Sequence, residues 1–158
     1  MNSQLELVQL PQLNLPGFSP ELLEKDGKLM IFDRQRKKHL ILTPEEWVRQ
    51  HWINFLINHL KFPKGLLASE KGLRYNKLQK RTDIVVWDTN SAPYLLVECK
   101  APKVKLTQST IEQACVYHME LKSPYLVITN GIQHICLSFD LKAGKFNQEK
   151  DFPVAPVL

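Results

Sequence analysis

Two short segments, Thr82–Trp87 and Tyr94–Lys100, constrain this chain more than any other feature. Both are runs of β-branched, aliphatic and aromatic residues, the composition of strands covered on both faces. The intervening turn Asp88–Pro93 is short enough for an antiparallel hairpin. Yet the pair carries Asp83, Glu98 and Lys100, and a charge in such a strand needs a reason, because unpaired burial costs several kcal/mol. Glu98 and Lys100 are two apart, so they share one face while Val97 and Cys99 share the other. With the turn centred between Asn90 and Ser91, residues whose numbers sum to 181 are partners, and Asp83 faces Glu98. Directly paired Cβ atoms lie ~4.5–5.5 Å apart, so this register sets two carboxylates side by side.

The rest of the chain supplies layers for such a hairpin. Residues 1–27 read as an irregular lead, with Pro11, Pro16 and Pro20 breaking regular structure. Residues 28–42 read as a β-hairpin, Lys28–Phe32 and His39–Leu42 around the charged turn Asp33–Lys38. Thr43-Pro44-Glu45-Glu46 is a helix start, since Thr43 can cap, Pro44 suits the first turn and Glu46 sits where a capping box places its carboxylate. Trp47, Val48, Trp52, Phe55, Leu56 and Leu60 carry that helix to about Leu60, before Phe62-Pro63-Lys64-Gly65 stops it. Leu66–Ser69 reads as a weak strand. A second helix opens at Thr107 or Ser109 and runs through Lys122. Strands Tyr125–Thr129 and Gln133–Phe139 then flank Asn130-Gly131, a strong hairpin turn. The expected class is α/β with a mixed sheet in one domain, its core at residues 43–139 and a C-terminal extension at 140–158.

A chain of 158 residues with 44% hydrophobic residues can bury a core without disulfides or structural metal. Cys99, Cys115 and Cys136 are odd in number and widely spaced, which suits buried thiols in a reducing, cytoplasmic compartment. No apolar run approaches the ~18 residues of a membrane span. His39, His51, His59, His118 and His134 lack zinc-site spacing and read as structural or exposed; Trp47, Trp52 and Trp87 read as core. The formal charge of +5 permits a polyanionic partner.

Facing carboxylates repel unless a cation lies between them, and a divalent ion with oxygen ligands answers that need. The pair therefore points to Mg²⁺, with Mn²⁺ as a substitute. Lys100, next along the face, can orient a water or neutralise a phosphate oxygen. Metal, water, cation and a basic surface together describe phosphodiester hydrolysis.

Asp83 with Glu98-Cys99-Lys100 resembles the PD-(D/E)xK nuclease motif, and the αβββαβ order from Thr43 to Phe139 resembles the restriction-endonuclease-like core. Gln113 and Tyr117, four apart on one helical face, resemble the QxxxY motif of several branches, and Glu46 matches the position of an additional acidic residue. The wording TPEEWVRQ, RTDIVVWD, LLVECKAP and IEQACVYHMELKSPYLVITNG is similar to the N-terminal nuclease domain of type I restriction enzyme R subunits, over roughly two-thirds of the chain. The resemblance implies Mg²⁺ held by Asp83, Glu98 and the Cys99 backbone carbonyl, with Glu46 as a further ligand. It implies Lys100 at the hydrolytic water, and DNA contacts from Gln113 and Tyr117. Thr82 stands where that motif often has proline. An R subunit continues into an ATP-driven translocase, whereas this sequence has no GxxxxGK[ST] loop. A stand-alone nuclease, a partner of other restriction or DNA-processing subunits, and a non-catalytic DNA-binding or assembly module on the same scaffold all fit; a homodimer is compatible with each.

Several residues carry a second reading. A capping box would favour Glu46 with no metal present. Glu70 is an alternative acidic ligand or a solvated turn residue. The basic residues Lys61, Lys64, Lys71, Arg74, Lys77, Lys80 and Arg81 form a dense run that ends beside Asp83. Arg81 and Arg49 are the expected phosphate contacts, with the hairpin tip Arg34–Lys38 as another; such contacts add salt-dependent affinity without reading bases.

Overall fold

The computed structural model describes residues 10–67 and 84–156. Asp83, Arg81, Glu70 and most of the basic run lie outside these residues.

Three strands come first, β1 (Leu22–Lys25), β2 (Lys28–Asp33) and β3 (Lys38–Ile41), in an antiparallel sheet of that order. The hairpin expected at 28–42 is present, with Asp33 paired to Lys38. The lead is less irregular than its prolines suggested, because Leu22–Lys25 turns at Asp26-Gly27 and pairs back on β2. Both turn residues have positive φ, the twist that a tight hairpin requires.

Helix α1 (Pro44–Asn54) starts as its sequence dictates: the Thr43 hydroxyl accepts from the Glu46 N–H at 3.0 Å and Pro44 occupies the first turn. It then widens into one π turn, Phe55–His59, whose Leu60 N–H reaches back five residues to the Phe55 carbonyl. Lys61, in the left-handed conformation, ends it. Where a weak strand was expected at Leu66–Ser69, Lys64–Leu67 forms a single helical turn, α2. Pro63 pre-sets the helical φ and its carbonyl accepts from the Leu66 N–H, and a Leu-Leu pair by itself does not distinguish strand from helix.

The second sheet has five strands in sequence order: β4 (Ile84–Trp87), β5 (Pro93–Cys99), β6 (Tyr125–Thr129), β7 (His134–Asp140) and β8 (Lys145–Glu149). β5 and β6 are parallel and joined through helix α3 (Gln108–His118), the crossover that parallel pairing requires; the other neighbours are antiparallel. This is the mixed α/β sheet expected, with β8 added inside the 140–158 extension. Ile84, Val85 and Val86 pair with Val97, Leu96 and Leu95, the sum-of-181 register, before a bulge at Trp87.

Period-two alternation divides the sheet between two helical layers. Val97, Cys99 and Val127 pack toward Val48 and Trp52 of α1 and Leu56 of its π turn. Leu96, Leu126, Ile128 and Leu137 pack with Val85 and Trp87 toward Ala114 of α3. All three tryptophans are in the core, as are Cys99 and Cys136. Among the described residues, no helix is long and apolar enough to cross a membrane.

Candidate functional site

Glu98 has the parity of Leu96, so its side chain leaves β5 on the α3 face, as does that of Lys100. The consequence is a three-residue cluster. Glu98 Oε2 lies 3.2 Å from Lys100 Nζ, and Glu98 Oε1 lies 3.0 Å from His118 Nε2 on the last turn of α3. Because an ionised carboxylate only accepts, His118 donates through Nε2–H. Burial pushes the Glu98 carboxyl up, but the His118 hydrogen bond, the Lys100 charge and the Lys100 hydrogen bond outweigh it and hold Glu98 below its ordinary value. Glu98 is thus an ionised, 7% exposed carboxylate at a strand end, and Lys100, with a side chain 21% exposed, opens the cluster to solvent. The Lys100 N–H donates to the Thr129 carbonyl at 2.8 Å, and the Asn130 amide ties down the Val104 carbonyl, so the chain leaving β5 is anchored to the β6–β7 turn.

The outer side of α3 carries Gln113 and Tyr117. Both line a shallow surface groove with Ser109, Glu112 and Val116. The Tyr117 ring stands edge-on to the His118 ring, centroids 5.0 Å apart, which links this groove to the buried cluster.

Glu46 and Arg49 belong elsewhere. They stand on α1, the layer across the sheet, in a buried network with the β2–β3 turn. Arg49 Nη1 donates to Asp33 Oδ2 at 2.8 Å and to Glu46 Oε2 at 2.9 Å, and Gln50 Nε2 also donates to Glu46 Oε2. Asp33 is fully buried and also accepts from the Gln35 and Arg36 N–H groups. Burial raises its pKa, but the Arg49 charge and hydrogen bond, with those backbone donors, bring it below the ordinary value. Arg49, expected as a phosphate contact, is 5% exposed and spends its charge internally. The Glu46 carboxylate, expected as a metal ligand or a capping-box partner, is taken up by Arg49 and Gln50; only the Thr43 half of the box forms.

Glu98 and Lys100 therefore meet, Tyr117 touches the His118 ring, Gln113 lies with Tyr117 in the outer groove of α3, and Asp83 lies outside the described residues. His118, read from the sequence as structural or exposed, is buried and bonded to Glu98. Its signal was present, because Ala114 and His118 are four apart and form the inward side of the helix whose outer side holds Tyr117. Among the described residues, no group of three or more His, Cys, Asp or Glu gathers as a metal site. The donor chemistry at Glu98 nevertheless suits a hard divalent ion, since each oxygen of the ionised carboxylate keeps a further lone pair beyond its bond to Lys100 or His118.

Compared with known proteins, residues 44–153 match the family model described as type I restriction enzyme R protein N terminus. No curated protein and no solved structure gives a match.

Proposed function

The chain belongs to the type I restriction enzyme R protein N-terminal family, and from that membership and the Glu98 cluster we propose that it hydrolyses DNA phosphodiester bonds as a Mg²⁺-dependent nuclease domain. The observation that carries this reading is a buried, ionised carboxylate held from two sides, with a partly exposed lysine against it. Asp83, Glu98 and the Cys99 carbonyl would hold the ion, which when bound supplies an activated water and offsets charge on the phosphate. Asp83 directly precedes Ile84, whose strand partner Val97 directly precedes Glu98.

The chain's own groups divide the remaining work. His118 fixes one oxygen of Glu98, so the carboxylate keeps a single orientation as a substrate arrives. Lys100 Nζ, 3.2 Å from Glu98 Oε2 with its side chain 21% exposed, can orient the attacking water or donate to a phosphate oxygen. Gln113 and Tyr117 offer an amide and a hydroxyl along the α3 groove to the DNA backbone. DNA and other restriction or DNA-processing subunits are the natural partners, in the cytoplasm.

The test is plasmid cleavage with Mg²⁺ and with Mn²⁺, alongside calorimetric metal titration, on the wild type, Glu98→Gln and Lys100→Ala. Metal-dependent nicking should be lost in both variants while circular dichroism is unchanged. Full cleavage by either variant overturns the assignment. A wild type that binds DNA in a salt-sensitive way without cutting it identifies the non-catalytic module instead.

A further inference from the structure

Outside the Glu98 cluster, a cleft of about 220 Å³ lies between the β2–β3 turn and α1, with the segment Phe18–Glu21 at its side. We propose that this cleft is a second binding site, built for the adenine base of a nucleotide.

Four observations converge on it. The Gln35 amide lines the cleft with both Oε1 and Nε2 shielded from solvent and without a hydrogen-bond partner among the described residues. Opposite, Gln50, Asn54 and Asn58 recur every fourth residue and form an amide stripe on one side of the α1 helix and its π turn. Asn58 donates to Asn54 Oδ1 at 2.8 Å, which leaves Asn54 Nδ2, also shielded, with no acceptor. The wall that carries Asn58 is the π turn itself, a rare geometry that recurs at functional sites.

The chemistry selects the ligand. A glutamine amide with acceptor and donor both unpaired is complementary, once Gln35 turns into the cleft, to the N6 amino group and N7 of adenine, a two-bond pairing on one edge of the ring. Asn54 Nδ2 adds a donor for a second ring nitrogen. Phe32 gives the cleft an aromatic wall, and Lys64 on the rim supplies a cation for the phosphate. The volume lies below the ~300–1,000 Å³ of clefts that take drug-sized ligands and suits a single planar base.

The buried ion network gives the site its rigidity. Asp33 accepts from the Gln35 and Arg36 N–H groups and from Arg49, so the turn carrying Gln35 is fastened to the helix carrying the amide stripe. A buried ion pair is weak as a source of net stability and effective at fixing one geometry, which is what a preformed pocket needs. None of these residues belongs to the Glu98 cluster, so the proposal stands apart from the nuclease reading.

The full chain, ¹⁵N-labelled and free of metal, is titrated with AMP, adenosine and CMP while the Gln and Asn side-chain amide resonances are followed. AMP should shift the Gln35 and Asn54 signals, adenosine should bind more weakly, and CMP should bind at least tenfold more weakly. Gln35→Leu and Asn54→Ala should each weaken AMP at least tenfold, and Lys64→Ala should bring AMP toward adenosine. Competition between AMP and oligo(dA) at raised salt then separates a free nucleotide from a base everted from DNA. AMP binding no tighter than roughly 10 mM, equal binding of CMP, or AMP affinity unchanged in Gln35→Leu overturns the proposal. If Gln35→Leu fails to fold, the wild-type Gln35 and Asn54 resonances decide. Because no metal is present, a failure here is distinct from a failure of cleavage.

Discussion

Arg49→Met removes the cation that bridges two buried carboxylates and keeps most of the side-chain volume. In the wild type Arg49 Nη1 is 2.8 Å from Asp33 and 2.9 Å from Glu46, with Asp33 fully buried and Glu46 4% exposed. Breaking a buried pair by deleting one partner costs about 3–5 kcal/mol, because a charge is left uncompensated. Asp33 keeps its two backbone donors and a distant Arg36 guanidinium at 3.9 Å, and Glu46 keeps Gln50, so the low end, about 3 kcal/mol, is expected. For a chain of this size that is a fall of roughly 6–12 °C in Tm. The acid dependence carries a second signature. Asp33 is held below its ordinary carboxyl value in the folded wild type, so its contribution is complete above the unfolded pKa and fades as pH falls through the lower folded one. Without Arg49, burial dominates and the folded pKa rises above the unfolded value, so protonation then relieves the variant. The gap between wild type and Arg49→Met should therefore shrink on acidification. Urea denaturation at pH 7 and near pH 4 measures both; a loss below about 1 kcal/mol at pH 7, or a gap that widens in acid, refutes the ion-network account.

Three further outcomes are expected. Gly131 has φ +85, and an added Cβ would lie 2.8 Å from Leu13 Cδ2, so Gly131→Ala should destabilise by about 1–3 kcal/mol in thermal or urea unfolding; a neutral effect contradicts the turn geometry. His118→Ala should lower metal-dependent cleavage at saturating DNA, with His118→Asn or His118→Gln recovering part of the loss because an amide N–H can still reach Glu98, and equal activity in all three would remove His118 from the site. Cys99 and Cys136 are buried, and burial with the Asp151 charge raises the Cys136 thiol to about 11. Cys115 is half-buried, its thiol raised by burial, Glu112 and Glu98, so Ellman's reagent should reach Cys115 first and slowly, and the other two only after unfolding.

Much of the fold was legible because its signals are local. Thr43-Pro44 specifies a helix start through one hydroxyl and one fixed φ, and both act as their chemistry predicts. The 84–86/95–97 register followed from turn length and strand period. Errors arose where local signals are weak or competing. A short apolar segment at Leu66–Leu67 became a helical turn. Leu22–Lys25 and Lys145–Glu149, with exposed and polar strand residues, take their pairing from β2 and β7. At the site, strand parity correctly set Glu98 and Lys100 on one face, and helical spacing set Gln113 and Tyr117 on one side of α3.

The sequence alone determined which residues carry charge in apolar strands, on which face each emerges and where the helices begin, since these depend on periods of 2 and 3.6 and on caps a few residues long. Tertiary structure alone decided their partners. Glu98 meets His118, 20 residues onward, because the crossover β5–α3–β6 lays α3 over its face. Arg49 closes on Asp33, 16 positions earlier, and bridges it to Glu46, because the first sheet packs its turn against α1. The same residue types serve as a surface phosphate contact or a buried ion pair according to the layer that covers them, and burial is a property of the assembled chain rather than of any segment within it.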